Sequence, residues 1–481
     1  MEDDLLSPEN VVLLYVFWSS IDYSDYYIND LTDSNPKIYY INLATFVVVE
    51  ALKKIAIKQK GSLKMLTSTN KSYLIRLINK IKSSKISLHR TQNTPNQLII
   101  PTPPTALPLW KIVKSLPCLF PRPIGQSYED YRLYHSNVDK IQYELFSTLN
   151  FFPTPKGGKV SKIIKTPIDS KGNYMNEFCI SPENISYQGK NIKHLIFIHG
   201  YGAGIGFFLK NMENISLLDN EWCVHYIDLP GFGFSTRLPF SFQYPKDNIL
   251  QVESWFHDGI HKWFQRRKLL DTPQNNMVVA HSLGGYLMIL YKNTFPSHFK
   301  KLILCSPAGI CNGTKNKVEH KVPWWFNKLW EKNVSPFSLV RNTHILGSKL
   351  TSGWSYRRFR KVATDSQFEA LHRYTYAIFN KQGSGEYLLP FILKCGGDPR
   401  TPIENRIINS KHKWDSNSEW VWLYGENDWM NIAGGKRISK HFVKNNLGKS
   451  KVVIIPDAGH HLYLDNYPYF NELIQNEMKN F

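Results

Sequence analysis

Short apolar runs rich in β-branched residues alternate with helical periodicity from the start of the folded part, between about residues 125 and 155, to the end of the chain. Runs that are apolar almost throughout are typical of buried parallel strands. The six candidate strands are HLIFIHG (194–200), CVHYIDL (223–229), NMVVAHS (276–282), KLILCSP (301–307), WVWLYGE (420–426) and KVVIIPD (451–457). This alternation predicts an α/β domain with a mostly parallel sheet covered by helices on both faces.

One interval interrupts the alternation. Residues 308–419 are far more than a single crossover between strands needs, so we interpret them as a helical cap inserted over the sheet. The core then consists of residues 126–307 and 420–481.

Charge divides the region before the core. Residues 1–50 carry nine acids and one base, whereas residues 51–128 carry fourteen Lys or Arg and no acid. A proline-rich stretch, IIPTPPTALPLW, reads as an extended linker. We expect an acidic extension (1–64), then a basic, partly disordered segment with the linker (65–125), and a folded part that begins between about 125 and 155.

The net charge of +20 and the pI near 9.4 indicate an anionic partner, either nucleic acid or an acidic membrane surface. With aromatic residues at 14%, including 13 tryptophans, we favour the membrane surface and predict no nucleic acid. The six cysteines show neither a C-x-x-C pair nor zinc-ligand spacing, so we expect reduced thiols, no metal and no cofactor. No apolar run reaches the roughly twenty residues of a spanning helix, and the nearest, INLATFVVVEAL, contains Glu50.

The stretch VVAHSLGGYLMILY places Ser282 between an apolar strand and a helical pattern, where a nucleophile elbow belongs. The residues two before and two after the serine must be small there, because the strand and the helix approach closely. Ala280 and Gly284 meet this requirement, although the usual first residue is glycine. A serine hydroxyl still needs a base, and the base needs a carboxylate to orient it.

Two later strand ends offer these partners. Asp428 follows one strand in WLYGENDWMN, and His460 follows the next in VVIIPDAGHH. The chain order of Ser282, Asp428 and His460 is that of an α/β-hydrolase. Glu426 and Asp398 are alternative carboxylates for the Asp428 role.

The oxyanion donors are expected at the backbone. The N–H of Leu283 opens the elbow helix, and the N–H of Tyr201 or Gly202 lies on the glycine-rich loop of IFIHGYGAGIGFF. His199 is interpreted as a buttress of that loop. Taken singly, each motif also has a structural interpretation as a turn or a phosphate loop, so the prediction rests on all four occurring in order at strand ends.

Six motifs together carry a family resemblance: HGYGAG, DLPGFGFS, AHSLGGYL, SGEY, GENDWMN and GHHLYLD. Over roughly residues 150–481 they resemble the α/β-hydrolase subfamily of the lipid-droplet lipase coactivator, the N-acyl phospholipid hydrolases, and the fungal mitochondrial cardiolipin-specific deacylase with its lysophosphatidic acid acyltransferase relatives. The nucleophile Ser282 and the tryptophan of NDWM, Trp429, resemble the deacylase branch. The coactivator members lack that serine.

The spacing of His460 and Asp465 matches a hallmark of this family that is linked with acyltransferase activity. Asp465 also precedes NYPYFNELIQNEM, where an aspartate would cap the helix entered near Pro468. We favour capping or support of neighbouring site residues over proton transfer, and interpret His461 as a packed neighbour.

Two cap segments bear on the substrate. In VPWWFNKLWEK, Phe326, Leu329 and Trp330 share a helical face, which fits either a membrane interface or ordinary cap packing. In WSYRRFRK, the candidate contacts for an anionic headgroup are Arg357, Arg358 and Arg360, although a solvated basic loop would look the same.

These patterns predict a serine hydrolase that deacylates an anionic phospholipid, with cardiolipin and monolysocardiolipin expected as substrate and product. The alternatives are a lysophosphatidic acid acyltransferase and a non-catalytic regulator of a lipase on the same fold. The sequence indicates no particular protein partner.

The basic segment from Met65 is rich in Lys, Arg, Ser and Thr and free of acids, as mitochondrial presequences are. One helical stripe carries Leu74, Leu77, Ile78 and Ile81. We therefore expect functional translation from Met65 and a location at the periphery of the mitochondrial inner membrane, facing the matrix. The alternative is a basic surface or nucleic-acid-binding arm.

Overall fold

The computed structural model describes residues 119–183, 192–312, 324–409, 414 and 416–481. These residues belong to one compact unit. The acidic extension 1–64 and the basic segment from Met65 to Cys118 lie outside the described residues.

An eight-stranded sheet forms the core. Its strands are β1 (Lys159–Pro167), β2 (Tyr174–Pro182), β3 (Lys193–Ile198), β4 (Trp222–Ile227), β5 (Asn276–His281), β6 (Lys301–Cys305), β7 (Glu419–Gly425) and β8 (Lys449–Ile455). They lie in the order β1-β2-β4-β3-β5-β6-β7-β8. From β4 to β8 every pairing is parallel, so the carboxyl ends of β5, β6, β7 and β8 meet at one edge.

The six strands predicted from the sequence are present as β3 to β8, with bounds that differ by one or two residues. β1 and β2 were not predicted. They pair antiparallel with each other, and β2 pairs antiparallel with β4. The sheet is therefore mostly parallel, as expected, and gains an antiparallel end.

Fourteen α-helices lie among the described residues. They are α1 (Ile124–Ser136), α2 (Val138–Phe146), α3 (Leu209–Asn214), α4 (Ile249–Arg266), α5 (Leu283–Thr294), α6 (Trp324–Glu331), α7 (Ser338–Asn342), α8 (Gly347–Phe359), α9 (Asp365–Asn380), α10 (Leu389–Ile392), α11 (Ile403–Ile408), α12 (Ile432–Lys444), α13 (Leu462–Asp465) and α14 (Tyr467–Lys479).

Local sequence explains where the longer helices begin. α4 begins with a capping box, in which the Asn248 side chain accepts from the first-turn backbone and Gln251 returns the contact. Thr364 and Gln367 form the same box at α9. α5 is almost entirely buried and packs with α4 in the apolar core cluster beside the sheet. A helix buried on nearly all sides keeps its first turn, which carries the elbow, in a fixed position.

The interval between β6 and β7 contains α6 to α11, in the region interpreted from the sequence as a cap. α8 and α9 pack together, and α1 and α2 pack on them. A buried ion pair joins Arg122 to Asp130 at 2.9 Å, and Ser348 of α8 donates to Asp130. Arg122 thus belongs to the folded unit, slightly before the predicted linker ends at residue 125.

α6 covers the segment with the predicted aromatic face. Leu329 is fully buried, and Trp330 donates from Nε1 to the Leu393 carbonyl at 3.1 Å, while Lys328 is exposed. The Phe326 side chain lies outside the described part. The described contacts favour cap packing over an exposed membrane face for this helix.

No helix in the described ranges combines the length and the apolar character that crossing a bilayer requires.

Candidate active site

A strained turn carries Ser282 at the carboxyl end of β5. Its backbone has φ 50° and ψ −113°, a conformation that L-residues rarely adopt and that is expected of a nucleophile elbow. A Cβ added at Gly284 would lie 2.5 Å from the His199 carbonyl oxygen. This contact explains why the sequence needs a small residue two positions after the serine.

Three side chains from different strand ends meet here. Ser282 Oγ lies 3.0 Å from His460 Nε2, and His460 Nδ1 lies 3.3 Å from Asp428 Oδ1. All three residues are buried. The structure therefore brings together the serine, the histidine and the carboxylate that the sequence singled out. Glu426, an alternative acid, instead accepts from the Asp457 N–H at 3.1 Å.

Asp428 is held by two further donors. The Met430 N–H donates to Oδ1 at 3.0 Å, and the Ser306 hydroxyl donates to Oδ2. Ser306 follows β6, next to β5 in the sheet. The sequence reasoning missed it, although a polar residue directly after a buried strand at this edge was a usable signal.

His281, the residue before the serine, was missed as well. Its Nε2 donates to the carbonyl of His460 at 3.0 Å, so the elbow contacts the loop that carries the base. The rings of His281 and Trp429 both lie near the His460 ring, with 4.8 Å and 5.0 Å between centroids. Neighbouring rings at these distances restrict the orientation of the imidazole.

The glycine-rich loop after β3 passes directly against the nucleophile. A Cβ added at Gly200 would lie 2.9 Å from Ser282 Cβ, and Gly202 adopts a φ of 63° that favours glycine. His199 supports this loop, since its Nδ1 donates to the Gly200 carbonyl at 2.8 Å and its Nε2 accepts from the Leu229 N–H at 3.1 Å.

The candidate oxyanion donors belong to two segments that adjoin Ser282. Leu283 begins α5, and the N–H of the first helical residue has no acceptor within its own helix. Tyr201 and Gly202 directly follow the glycine that contacts Ser282. These backbone N–H groups are therefore the candidates for stabilising the charge on an ester oxygen that Ser282 attacks.

Burial keeps the histidines around His460 neutral. It lowers the pKa of His281 well below 6.5, and the charge of His460 when protonated acts in the same direction. The pKa of His461 is also lowered well below 6.5, first by burial and then by nearby Arg358. Neutral neighbours do not repel the positive charge that His460 gains when it takes a proton.

Asp465 does not cap the last helix, and it contacts the loop that carries His460. One carboxylate oxygen accepts from the Gly459 N–H at 3.1 Å, and the other pairs with Arg358 at 3.1 Å. The last helix is capped by Asn466, whose side chain accepts from the Tyr469 N–H. The capping hypothesis for Asp465 was therefore wrong, because the helix begins one residue later than it assumed.

The three arginines proposed for a headgroup do not share one environment. Arg360 is exposed and Arg357 half-buried, whereas Arg358 is buried and paired with Asp465. Arg358 lies on the inner face of α8, because Trp354 one turn earlier is buried as well. The expectation that Arg358 faces a headgroup together with its neighbours is not met.

The SGEY motif connects the cap to the core. The Gly385 N–H donates to the Gly231 carbonyl at 3.2 Å, and the Ser384 hydroxyl donates to the Leu238 carbonyl. Glu386 pairs with Arg341 of α7 at 2.7 Å. These contacts place the cap against the DLPGFGFS loop, next to the glycine-rich loop.

One group of metal-ligand side chains occurs in the described part, away from Ser282. Glu177, Cys179 and His225 offer ligand atoms within 4.8 Å of one another. His225 already uses both ring nitrogens, for Glu177 at 2.7 Å and His194 at 3.0 Å. Arg267 lies 3.1 Å from Glu177. A cation that neutralises the carboxylate is thus already present, so this group fits an internal ion-pair cluster better than a metal site.

Comparison with known proteins agrees with this fold. The alpha/beta hydrolase fold family matches residues 193–467, more than half of the chain. A probable 1-acylglycerol-3-phosphate O-acyltransferase of Oryza sativa subsp. japonica is 28% identical, over 61% of this chain and 68% of its own length. The (lyso)-N-acylphosphatidylethanolamine lipase of Mus musculus is 26% identical, over 60% of this chain and 80% of its own length. The 1-acylglycerol-3-phosphate O-acyltransferase ICT1 of Saccharomyces cerevisiae is 27% identical, over 57% of this chain and 79% of its own length.

Proposed function

Since this chain belongs to the α/β-hydrolase fold family, we propose that it is a serine hydrolase that removes an acyl chain from an anionic phospholipid, converting cardiolipin to monolysocardiolipin. The observation that carries the proposal is the hydrogen-bonded series from Ser282 Oγ through His460 to Asp428. It lies beside backbone N–H groups at a helix start, as acyl transfer requires.

Acylation starts at Ser282. As Oγ attacks the ester carbonyl, His460 Nε2 takes the hydroxyl proton, and Asp428 stabilises the resulting imidazolium through Nδ1. The N–H groups of Leu283 and of Tyr201 or Gly202 stabilise the tetrahedral oxyanion. His460 then gives its proton to the leaving glycerol oxygen, which leaves an acyl-serine.

Deacylation repeats the same steps with water. His460 takes a proton from water, the hydroxide attacks the acyl-serine, and the collapse of the intermediate returns the proton to Ser282 Oγ and releases a fatty acid. No step needs a metal or a redox cofactor.

Three observations support an anionic phospholipid. The lipase and acyltransferase relatives are named for glycerolipids that carry a phosphate. The chain has a net charge of +20. Arg357 and Arg360 lie at the end of α8, whose inner face carries the Arg358–Asp465 pair next to the base loop. Basic side chains at that position would contact headgroup phosphates.

The test uses the full chain on vesicles of cardiolipin or of phosphatidylcholine, with products followed by lipid mass spectrometry. We expect monolysocardiolipin and free fatty acid from the first and much less product from the second. Equal rates on both lipids would reject the headgroup preference. No product from either lipid, and none from a short nitrophenyl ester, would reject the hydrolase and favour a non-catalytic lipase partner.

Acyl transfer to lysophosphatidic acid is the second candidate, favoured by the acyltransferase relatives and by Asp465 at the family spacing. Here the acceptor hydroxyl takes the place of water in deacylation. With labelled acyl donor and lysophosphatidic acid in one assay, hydrolysis yields labelled fatty acid and transfer yields labelled phosphatidic acid. Phosphatidic acid as the main product would replace the hydrolase proposal.

For the location we propose the matrix face of the mitochondrial inner membrane. The support is the acid-free composition of the segment that starts at Met65. A fusion of residues 65–125 to a fluorescent protein should reach mitochondria, and a fusion of residues 1–125 from a fixed start should do so less well. Cytosolic or nuclear fluorescence of the shorter fusion would contradict this location.

A further inference from the structure

The loop between β8 and α13 carries His460, and other parts of the molecule hold its backbone. The Asn427 N–H donates to the Ala458 carbonyl at 2.9 Å, and His281 donates to the His460 carbonyl at 3.0 Å. Between these two contacts, the Gly459 N–H donates to Asp465 Oδ2 at 3.1 Å. Three hydrogen bonds therefore hold the backbone of residues 458–460, next to the imidazole, and the one from Gly459 ends on a carboxylate.

That carboxylate is oriented by the cap. Asp465 Oδ1 pairs with Arg358 Nη1 at 3.1 Å, and the Arg358 side chain is only 4% exposed. The Arg358 guanidinium also lies 5.9 Å from the centre of the Trp354 ring in the same helix. A largely buried arginine held on an aromatic ring has few alternative positions, so it fixes the carboxylate as well as neutralising its charge.

We propose that Asp465 is a positioning residue for His460. Arg358 couples this positioning to the packing of the cap, because it lies on α8 of the cap and pairs with Asp465. The inference rests on the proposed serine hydrolase, because it concerns how the base of that reaction is held. Asp465 acts through the Gly459 amide, whereas the carboxylate that contacts the imidazole is Asp428.

This arrangement makes turnover depend on an ion pair that lies between the cap and the base loop. If the pair is lost, Asp465 can turn away and the Gly459 amide loses its acceptor, which lets the imidazole leave its place beside Ser282. A displacement of about 1 Å at a reacting group can cost up to roughly 100-fold in rate. Such a loss falls on kcat, even for a small neutral ester that makes no use of a headgroup site.

The test measures kcat and KM on a short nitrophenyl ester with the full chain. We expect Arg358→Gln and Asp465→Ala each to lower kcat by at least about 10-fold, with KM within about 2-fold of wild type. Arg358→Lys, which keeps the charge, should recover part of kcat. The double variant Arg358→Gln, Asp465→Ala should be no slower than the slower single variant, because both substitutions break the same ion pair.

The matched control is Arg373→Gln. Arg373 is also a cap arginine that pairs with a buried carboxylate at 3.1 Å. Its partner, Asp130, lies on α1 and not next to the loop that carries His460. We expect this variant to lower the melting temperature without lowering kcat. A fall in kcat as large as that of Arg358→Gln would show a general effect of cap destabilisation and would overturn the proposal.

Two further outcomes would overturn it. One is an Arg358→Gln variant with wild-type kcat on the short ester and a raised KM on cardiolipin vesicles, since this assigns Arg358 to headgroup binding. The other is an Asp465→Ala variant with unchanged kcat. Both require an active wild-type protein, so inactivity of the wild type itself reports on the proposed function rather than on this coupling. Should Arg358→Gln fail to fold, Arg358→Lys and Asp465→Asn give the same comparison with smaller changes.

Discussion

At the scale of single residues, the proposed chemistry depends on side chains at or shortly after the carboxyl ends of strands. Parallel strands bring their carboxyl ends to one edge, so Ser282, Asp428 and His460 could be predicted from chain order and local motif. The particular contacts that they make with Ser306 and His281 could not. Ser306 and His281 act through contacts set by the lateral spacing of neighbouring strands, which no linear motif encodes.

We expect Ser306→Ala to lower kcat about 10-fold with KM little changed. The substitution leaves a buried carboxylate oxygen of Asp428 without this donor, at a cost of about 1 to 3 kcal/mol, and 1.36 kcal/mol corresponds to a tenfold change in rate. Steady-state kinetics on a short nitrophenyl ester measures the effect.

Ser161→Ala is the matched control. Ser161 lies on the edge strand β1, and its buried hydroxyl donates to the Phe151 carbonyl at 3.0 Å. Wild-type kcat in Ser306→Ala, or an equal loss in both variants, would contradict a role for Ser306 in holding Asp428.

At the scale of secondary structure, the parallel strands were predictable and the antiparallel end of the sheet was not. β3 to β7 are nearly continuous apolar runs, and such runs identify strands buried on both faces. β1 carries a lysine at every third position, at Lys159, Lys162 and Lys165, so it has no continuous apolar run that would identify it as a strand. For α6, helical periodicity predicted the helix, but the same periodicity fits a cap or a membrane face. Tertiary contacts of Leu329 and Trp330 had to decide.

The end of α8 provides the prediction at this scale. Arg357→Gln, Arg360→Gln together should weaken binding to cardiolipin-containing vesicles by up to about 30-fold at low salt, since each basic residue near an anionic surface contributes about 1 kcal/mol. The effect should shrink as salt rises, because the surface potential is screened. Vesicle co-sedimentation measures it.

A double change of equal charge, Lys436→Gln, Lys440→Gln, controls for net charge, since both lysines are exposed on α12. Equal weakening in the two double variants would mean that total charge, rather than the end of α8, directs binding.

At the scale of the whole molecule, the interior holds many neutral histidines. Burial lowers the pKa of His194 to about 3 and that of His298 to about 4. Burial also lowers the pKa of His199, His257, His281, His372 and His461. A histidine whose folded pKa is depressed takes up a proton only when the protein unfolds. The free energy of unfolding therefore falls as pH drops below about 6.5, the pKa of unfolded histidine.

We expect the melting temperature to fall by at least about 5 °C between pH 7 and pH 5. Each buried histidine contributes up to about 1.4 kcal/mol per pH unit in this window. The carboxylates with lowered pKa, such as Glu177, stay ionised here and do not oppose the trend. Thermal melting followed by circular dichroism measures the slope. It should be shallower in His194→Gln, and a flat or rising melting temperature toward acid would contradict neutral buried histidines.

The central claim, that Ser282 is the nucleophile of an acyl-transfer reaction, is tested most directly by the turnover of Ser282→Ala. We expect a folded protein with the wild-type melting temperature, undiminished binding to cardiolipin vesicles, and acyl release lowered by at least about 1,000-fold, because a triad without its nucleophile loses several orders of magnitude. Acyl release from those vesicles at a rate comparable to wild type would contradict the account.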